Sequence, residues 1–262
     1  MTSDNDRART SAAGSPPAAE VGRFRFARDR VLDEIADACR RADRNPAAVA
    51  LVAVTKGVAA ERVAAAIAAG QREFGENRVQ EGAAKAAELA EGVEAAGEVA
   101  WHLIGPLQSN KARLAVGTFA TIDSVDSIEL ARRLDRHAGE VRPSRPLPIL
   151  LQVNVDADPA KHGWRPADLE ADLGALANLG HLRLDGLMTI GRLAGDPEDA
   201  RPTFVALRKL AERLRATTAA LGPVLSMGMS DDYPVAVEEG ATQVRVGRAL
   251  FGPREGHRHG HC

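Results

Sequence analysis

The sequence predicts a single (β/α)8 barrel preceded by one helix, an α/β fold of the TIM-barrel class. Three observations carry that expectation. Eight short runs dense in Val, Ile and Leu alternate with longer stretches of helical spacing, as repeated βα units do. A chain of 262 residues with 45% apolar content has the size and core material for one such barrel. The rival, an open doubly wound sheet, wants a G-x-G-x-x-G turn after its first strand, and "TKGVAAERV" holds only Gly57 there.

The elements follow in order. Residues 1–20 are polar and small, with Gly14 and a Pro16-Pro17 pair, and are expected to form a disordered lead. Phe24, Val31, Ile35 and Ala38 fall at helical spacing and predict a helix over 24–41, stopped by Asn45-Pro46. Strands are expected at 49–54, 72–75, 100–104, 118–122, 148–154, 184–190, 224–228 and 243–247. Helices fill 59–69, 77–91, 109–115, 126–138, 166–179, 197–220 and 232–239, with a short final one in "RALFG". The barrel domain thus spans 21–252. Beyond it, 253–262 reads as a disordered tail. Its His257, His259, His261 and Cys262 have metal-binding chemistry but no fixed geometry, so no metal site is assigned.

Composition narrows the function. The 34 basic and 36 acidic side chains nearly cancel, so no strong field gathers nucleic acid or an anionic membrane. Only Cys39 and Cys262 are present, which is not a disulfide framework and fits a reducing cytoplasm. The N-terminus lacks a signal-peptide apolar region, and no run approaches the ~18 apolar residues of a membrane span. A cytoplasmic protein acting on small molecules is expected, and the lack of an evident large apolar surface predicts a monomer.

Chemistry begins where the apolar run "ALVAVTKGV" (50–58) ends in a lysine. Lys56 shares strand parity with Val52 and Val54; if those fill the barrel, its amine points into the mouth, where barrels place active sites. A desolvated amine there is a nucleophile toward aldehydes and ketones, whereas a strand-end lysine that merely reaches water is the plain alternative. At the other end, "VLSMGMS" (224–230) and "VRVGRALFG" (244–252) form the loops after strands 7 and 8, where barrels often hold phosphate. Ser226, Gly228 and Ser230 share one parity, and Ser230 with Asp231-Asp232 also reads as a helix cap. Arg245 alternates with Val244 and Val246; if those valines pack on helices, it faces the barrel interior and needs an acceptor, either an acidic side chain or a ligand ring nitrogen. Asn77 and His102 are further candidates for polar ligand contacts, though residues of these types are more often a cap and a satisfied core histidine respectively. Lys161, in "NVDADPAKHGW", is either a second amine at the mouth or a solvated loop lysine.

Taken together, "AVTKGV", "FGENRVQE", "WHLIGPLQSNK", "LMTIG", "LSMGMSDD" and "QVRVGRALFG" resemble the pyridoxal phosphate homeostasis proteins, whose barrel is that of the alanine racemase N-terminal domain. The likeness runs from about residue 25 to Gly252. It implies that Lys56 holds pyridoxal 5′-phosphate as an internal aldimine and that Ser226, Met227, Gly228 and Ser230, with the backbone near Gly247, cradle the phosphate. It also implies that Arg245 faces the pyridine nitrogen. A guanidinium there leaves the ring mostly unprotonated and damps carbanion chemistry. The chain runs ten residues past Gly252, and its one tyrosine, Tyr233, is expected on the surface or in packing, so no second acid/base of the racemase kind is foreseen. The resulting expectation is a cofactor holder that exchanges pyridoxal phosphate with dependent apoenzymes. A weak amino-acid racemase and a cofactor-free Schiff-base aldolase are the alternatives.

Overall fold

The structure is a computed structural model that describes residues 16–93, 97–191 and 195–253. Residues 1–15 and the tail from 254 on, including its histidines and Cys262, lie outside the described residues. The first helix, α1 (Ala18–Arg41), buries Phe24, Val31, Ile35, Ala38 and Cys39. It begins earlier than expected: Ala18–Glu20, assigned by composition to the lead, form its first turn. The Pro17 carbonyl accepts from Glu20 and Val21 N–H at 2.9 and 3.2 Å, and the Glu20 carboxylate sits at the positive end of the helix dipole.

The barrel strands are β1 (Ala50–Val54), β2 (Glu73–Glu76), β3 (Ala100–Leu103), β4 (Thr121–Val125), β5 (Leu147–Gln152), β6 (Leu182–Met188), β7 (Val224–Ser226) and β8 (Gln243–Val246). They pair in parallel in sequence order, and β1 closes the ring on β8 with Val52 opposite Arg245. Between them run α2 (Ala60–Ala68), α3 (Val79–Val93), α4 (Ala112–Thr118), α5 (Ile128–Val141), α6 (Pro166–Ala177), α7 (Arg201–Thr217) and α8 (Tyr233–Glu238); α9 (Arg248–Phe251) follows β8. Apolar strand and helix side chains form one continuous core between sheet and helices, so each βα unit buries its hydrophobic face against its neighbours.

The expected fourth strand, 118–122, lies three residues further on. Thr118 ends α4, Phe119 is buried beyond it, and the real strand "TIDSV" carries the adjacent polar pair Asp123-Ser124 at its centre, which hides it from an apolar count. Those residues are satisfied inside the molecule: Ser124 Oγ donates to the Gly105 carbonyl at 2.7 Å, and Asp123 accepts from Gln243 at 2.6 Å. The strand-1 parity holds. Val52 is fully buried against the position of Gly75 and Ile104, and Val54 and Lys56 follow it to the mouth. Helix α1 packs on α2, α8 and α9, laying the first element over the last ones.

Candidate functional site

At the C-terminal ends of the strands opens a cavity of about 540 Å³, lined among others by Lys56, Asn77, Ser230, Arg245 and Gly247. These five candidate residues are brought together. Apolar walls from Val54, Val58, Ile104, Ile190 and Phe251 enclose them, the composition of a small-molecule site.

Lys56 follows β1 directly, where the chain leaves the sheet through Gly57 in the left-handed region at φ +70°. Its neighbours on both sides are anchored by a buried cluster that the sequence reading missed. Lys85 Nζ donates to the Thr55 carbonyl at 2.6 Å, to Glu76 Oε1 at 2.7 Å and to Glu81 Oε1 at 2.8 Å. Thr55 Oγ1 donates to Glu76 at 2.6 Å, and the Gly57 N–H donates to Glu81 at 2.7 Å. Burial pushes the Glu76 carboxyl up against the pull of Lys85 and Thr55. For Glu81 partial burial works in the same direction, but the Lys85 and Gly57 bonds outweigh it and its pKa falls. In the sequence Glu81 and Lys85 look like an ordinary exposed i,i+4 helix pair, and nothing in the pattern shows that the lysine turns inward.

Arg245 lies inside the barrel as its parity requires, 4% exposed. Of the two expected acceptors, an acidic side chain does not hydrogen-bond it. Instead Nη1 donates to Ser226 Oγ at 2.7 Å and Nη2 to the Thr189 carbonyl at 2.8 Å, both neutral. Burial lowers the guanidinium's pKa, while Asp123 and Asp232 act on it electrostatically in the opposite sense. Ser226 is therefore not at the cavity surface. It is fully buried and accepts from Gln243 Nε2 as well, at 2.9 Å. Gln243 donates onward to Asp123, whose other oxygen lies 3.3 Å from His102 Nδ1, and His102 Nε2 lies 2.5 Å from Glu73.

His102 thus differs from its expected place at the ligand. Its ring contacts Glu73, the first residue of β2, and it does not line the cavity. With a carboxylate at each ring nitrogen, only the doubly protonated imidazolium donates to both. Burial alone depresses its pKa, but Asp123 and Glu73 prevail and push it up to about 9.

Met227 and Gly228 also stand behind the cavity wall. Met227 is fully buried, its N–H donating to the Gln243 carbonyl at 3.1 Å. Gly228 turns at φ +94°, and a Cβ there would sit 2.6 Å from that of Ala236 and 2.9 Å from Tyr233 Cα, so only glycine fits. That turn delivers Met229 and Ser230 to the cavity. Ser230 does not cap α8; its Oγ accepts from the Gly247 N–H at 3.3 Å and the Ala249 N–H at 3.5 Å. Asp232 occupies the N-cap position of α8, and its Oδ1 accepts from the Met229 N–H at 2.6 Å. Asn77 lines the cavity just before α3, and its backbone lies so close to Gly105 that a Cβ there would meet its carbonyl oxygen at 2.3 Å. Asp231 and Arg248, also missed by the sequence reading, form an ion pair at the rim on either side of this loop.

Two loose ends resolve as structure. Lys161 Nζ donates to Asp156 at 3.2 Å and to the Ile190 and Gly191 carbonyls at 3.1 and 3.2 Å, clamping the loops after β5 and β6 together rather than lining the cavity. Tyr233 is buried, and its hydroxyl donates to Glu34 of α1. Among the described residues no cluster of His, Cys, Asp and Glu is arranged to hold a metal ion. No described helix is long and apolar enough to cross a membrane.

Comparison with known proteins gives the family. The alanine racemase N-terminal domain family matches residues 29–255. The pyridoxal phosphate homeostasis protein of Pseudomonas aeruginosa is 44% identical over 229 residues, 86% of this chain and 94% of that one. Its Escherichia coli K12 counterpart is 40% identical over 233 residues, 86% and 94% of the two chains. The solved structure of PipY from Synechococcus elongatus with PLP bound superposes with a TM-score of 0.73 at 45% identity, covering 85% of this chain and all of that one. Alanine racemase of Clostridium difficile, at 14% identity and a TM-score of 0.66, shares the fold over 88% of this chain. The chain belongs to the alanine racemase N-terminal domain family, within the group of pyridoxal phosphate homeostasis proteins.

Proposed function

We propose that the chain is a carrier of pyridoxal 5′-phosphate, held covalently on Lys56, in intracellular homeostasis of that cofactor. The observation that carries this reading is the meeting in one cavity of an amine, a guanidinium and a hydroxyl flanked by backbone N–H groups: Lys56, Arg245, and Ser230 with Gly247. The donor set fits the group. When bound, the cofactor supplies an aldehyde for Schiff-base linkage and a ring that can accept electrons. Lys56 provides the amine. Arg245, with two of its N–H groups committed to Ser226 and Thr189, presents a pre-oriented donor to a ring nitrogen and no base to take up a proton. Ser230 and the Gly247–Ala249 backbone offer neutral donors to an anion, and the Arg248 guanidinium adds charge at the rim.

The reading as a holder rather than a catalyst rests on the second acid/base that racemisation needs. Tyr233 is the one tyrosine of the sequence, and it is bonded to Glu34 away from the cavity. A cytoplasmic monomer that exchanges its cofactor with dependent apoenzymes completes the proposal. Addition of pyridoxal 5′-phosphate to the purified protein is expected to give a visible absorption band that Lys56→Ala abolishes. Hydride reduction followed by peptide mapping should place the adduct on Lys56; an adduct on Lys161, or none, sinks the reading.

A further inference from the structure

The lysine at the site is a single residue between two tethers. On its N-terminal side, Thr55 is held at its N–H by the Gly75 carbonyl at 2.9 Å, at its hydroxyl by Glu76, and at its carbonyl both by Lys85 and by the Val58 N–H at 2.9 Å, which closes the turn around Lys56. On its C-terminal side, the N–H of Gly57 is held by Glu81 at 2.7 Å. Both tethers end on the same ammonium, because Lys85 bonds Glu76 and Glu81 together. Lys85 is 7% exposed, and Glu76 is fully buried with its second oxygen lacking any hydrogen-bond partner. Two buried ions and an orphaned oxygen are costly, and replacement by apolar side chains is often no less stable. A fold that needed only a filled gap between β2 and α3 has a cheaper solution. What this arrangement supplies is geometry: charge-assisted bonds of 2.6–2.8 Å fix the backbone on both sides of residue 56.

We propose that Lys85 and Glu81 are positioning residues for Lys56, fixing the backbone from which its amine projects into the cavity. The inference rests on the reading of Lys56 as the linking amine. Gly57 at φ +70° lets the chain turn off the barrel rim within one residue, and the Glu81 carboxylate holds that turn. Without it, the turn is closed only by the Val58 N–H bond to the Thr55 carbonyl at 2.9 Å, the Gly57 peptide gains freedom to rotate, and the amine samples positions from which an aldehyde is not attacked.

The test compares two ligands on the full chain. Pyridoxal 5′-phosphate can link to Lys56, whereas pyridoxamine 5′-phosphate has the same ring and phosphate but no aldehyde. In Glu81→Ala, affinity for the aldehyde is expected to fall about tenfold and the visible band to form more slowly, with affinity for the amine form unchanged; one charge-assisted bond is worth about that factor. Glu81→Gln, which keeps an acceptor for Gly57, should recover most of the loss. Lys85→Met is expected to act in the same way where it folds; Glu81, whose side chain is 28% exposed, carries the test where it does not. Equal weakening of both ligands would mean that the cluster only supports the fold, and unchanged aldehyde affinity would mean that Lys56 needs no tether; either result overturns the proposal. A wild-type protein with no visible band brings down the assignment of Lys56 itself, a failure seen before any variant is made.

Discussion

Arg248 and Asp231 show at the level of single residues how a site can be poised for an anion. They pair at the cavity rim with side chains 57% and 69% exposed, and an exposed pair of this kind contributes little, about 0–1 kcal/mol. A phosphate dianion beside Ser230 is a stronger partner for the guanidinium. Arg248→Ala is therefore expected to weaken pyridoxal 5′-phosphate binding about tenfold at low salt and to leave unphosphorylated pyridoxal unaffected, while Asp231→Asn tightens the former. Fluorescence titration with both ligands checks this, and parallel losses would count against it. Single residues were also where the sequence was most uneven as a guide. Lys56 and Arg245 were placed by strand parity alone, because a period of two leaves one choice of face. Ser226 and His102 share that interior face but belong to the interior bond network, one supporting Arg245 and the other paired with Asp123 and Glu73. Parity gives the face of a side chain and not its depth along the barrel axis.

Depth is decided by elements. The loop from β7 to α8 reaches the cavity because Gly228 turns left-handed against α8. Gly228→Ala is expected to cost roughly 2–4 kcal/mol, from backbone strain plus the contact with Ala236. A denaturant titration measures that cost, and cofactor affinity should drop with it because Ser230 is displaced; a change below 0.5 kcal/mol would contradict the packing. All eight strands and the helices around them were legible as alternation of apolar runs with helical spacing, since each unit must bury one face. The fourth strand was shifted because Asp123 and Ser124 break its apolar run, and they are tolerated there only by partners on other strands: Gln243 of β8 and the Gly105 carbonyl beyond β3. Such partners are remote in sequence, whereas the Glu76–Lys85–Glu81 cluster is local and was hidden because an i,i+4 pair on α3 gives no sign that its lysine turns inward to the Thr55 carbonyl.

For the whole molecule, the array Glu73–His102–Asp123, buried at His102 and Asp123 and partly open at Glu73, links stability to pH. The folded-state pKa of His102 is raised to about 9 from an ordinary 6.5. A group raised in this sense contributes its full stabilisation below about pH 6.5 and loses it as pH climbs through about 9. The melting temperature is expected to fall between pH 7 and 9.5, and His102→Gln should be less stable at pH 6 but flatter across that window. Melting curves of the two proteins that stay parallel would show that the imidazolium is not the source. Closure of the ring has a last consequence. The strand that leads to Lys56 is bonded laterally to the one bearing Arg245, though most of the polypeptide separates them in order of synthesis. On a ribosome the amine emerges early and waits, unable to find its companions until β8 has left the exit tunnel. A chain cut short before β8 is therefore expected to lack the assembled cavity, however well its earlier βα units form.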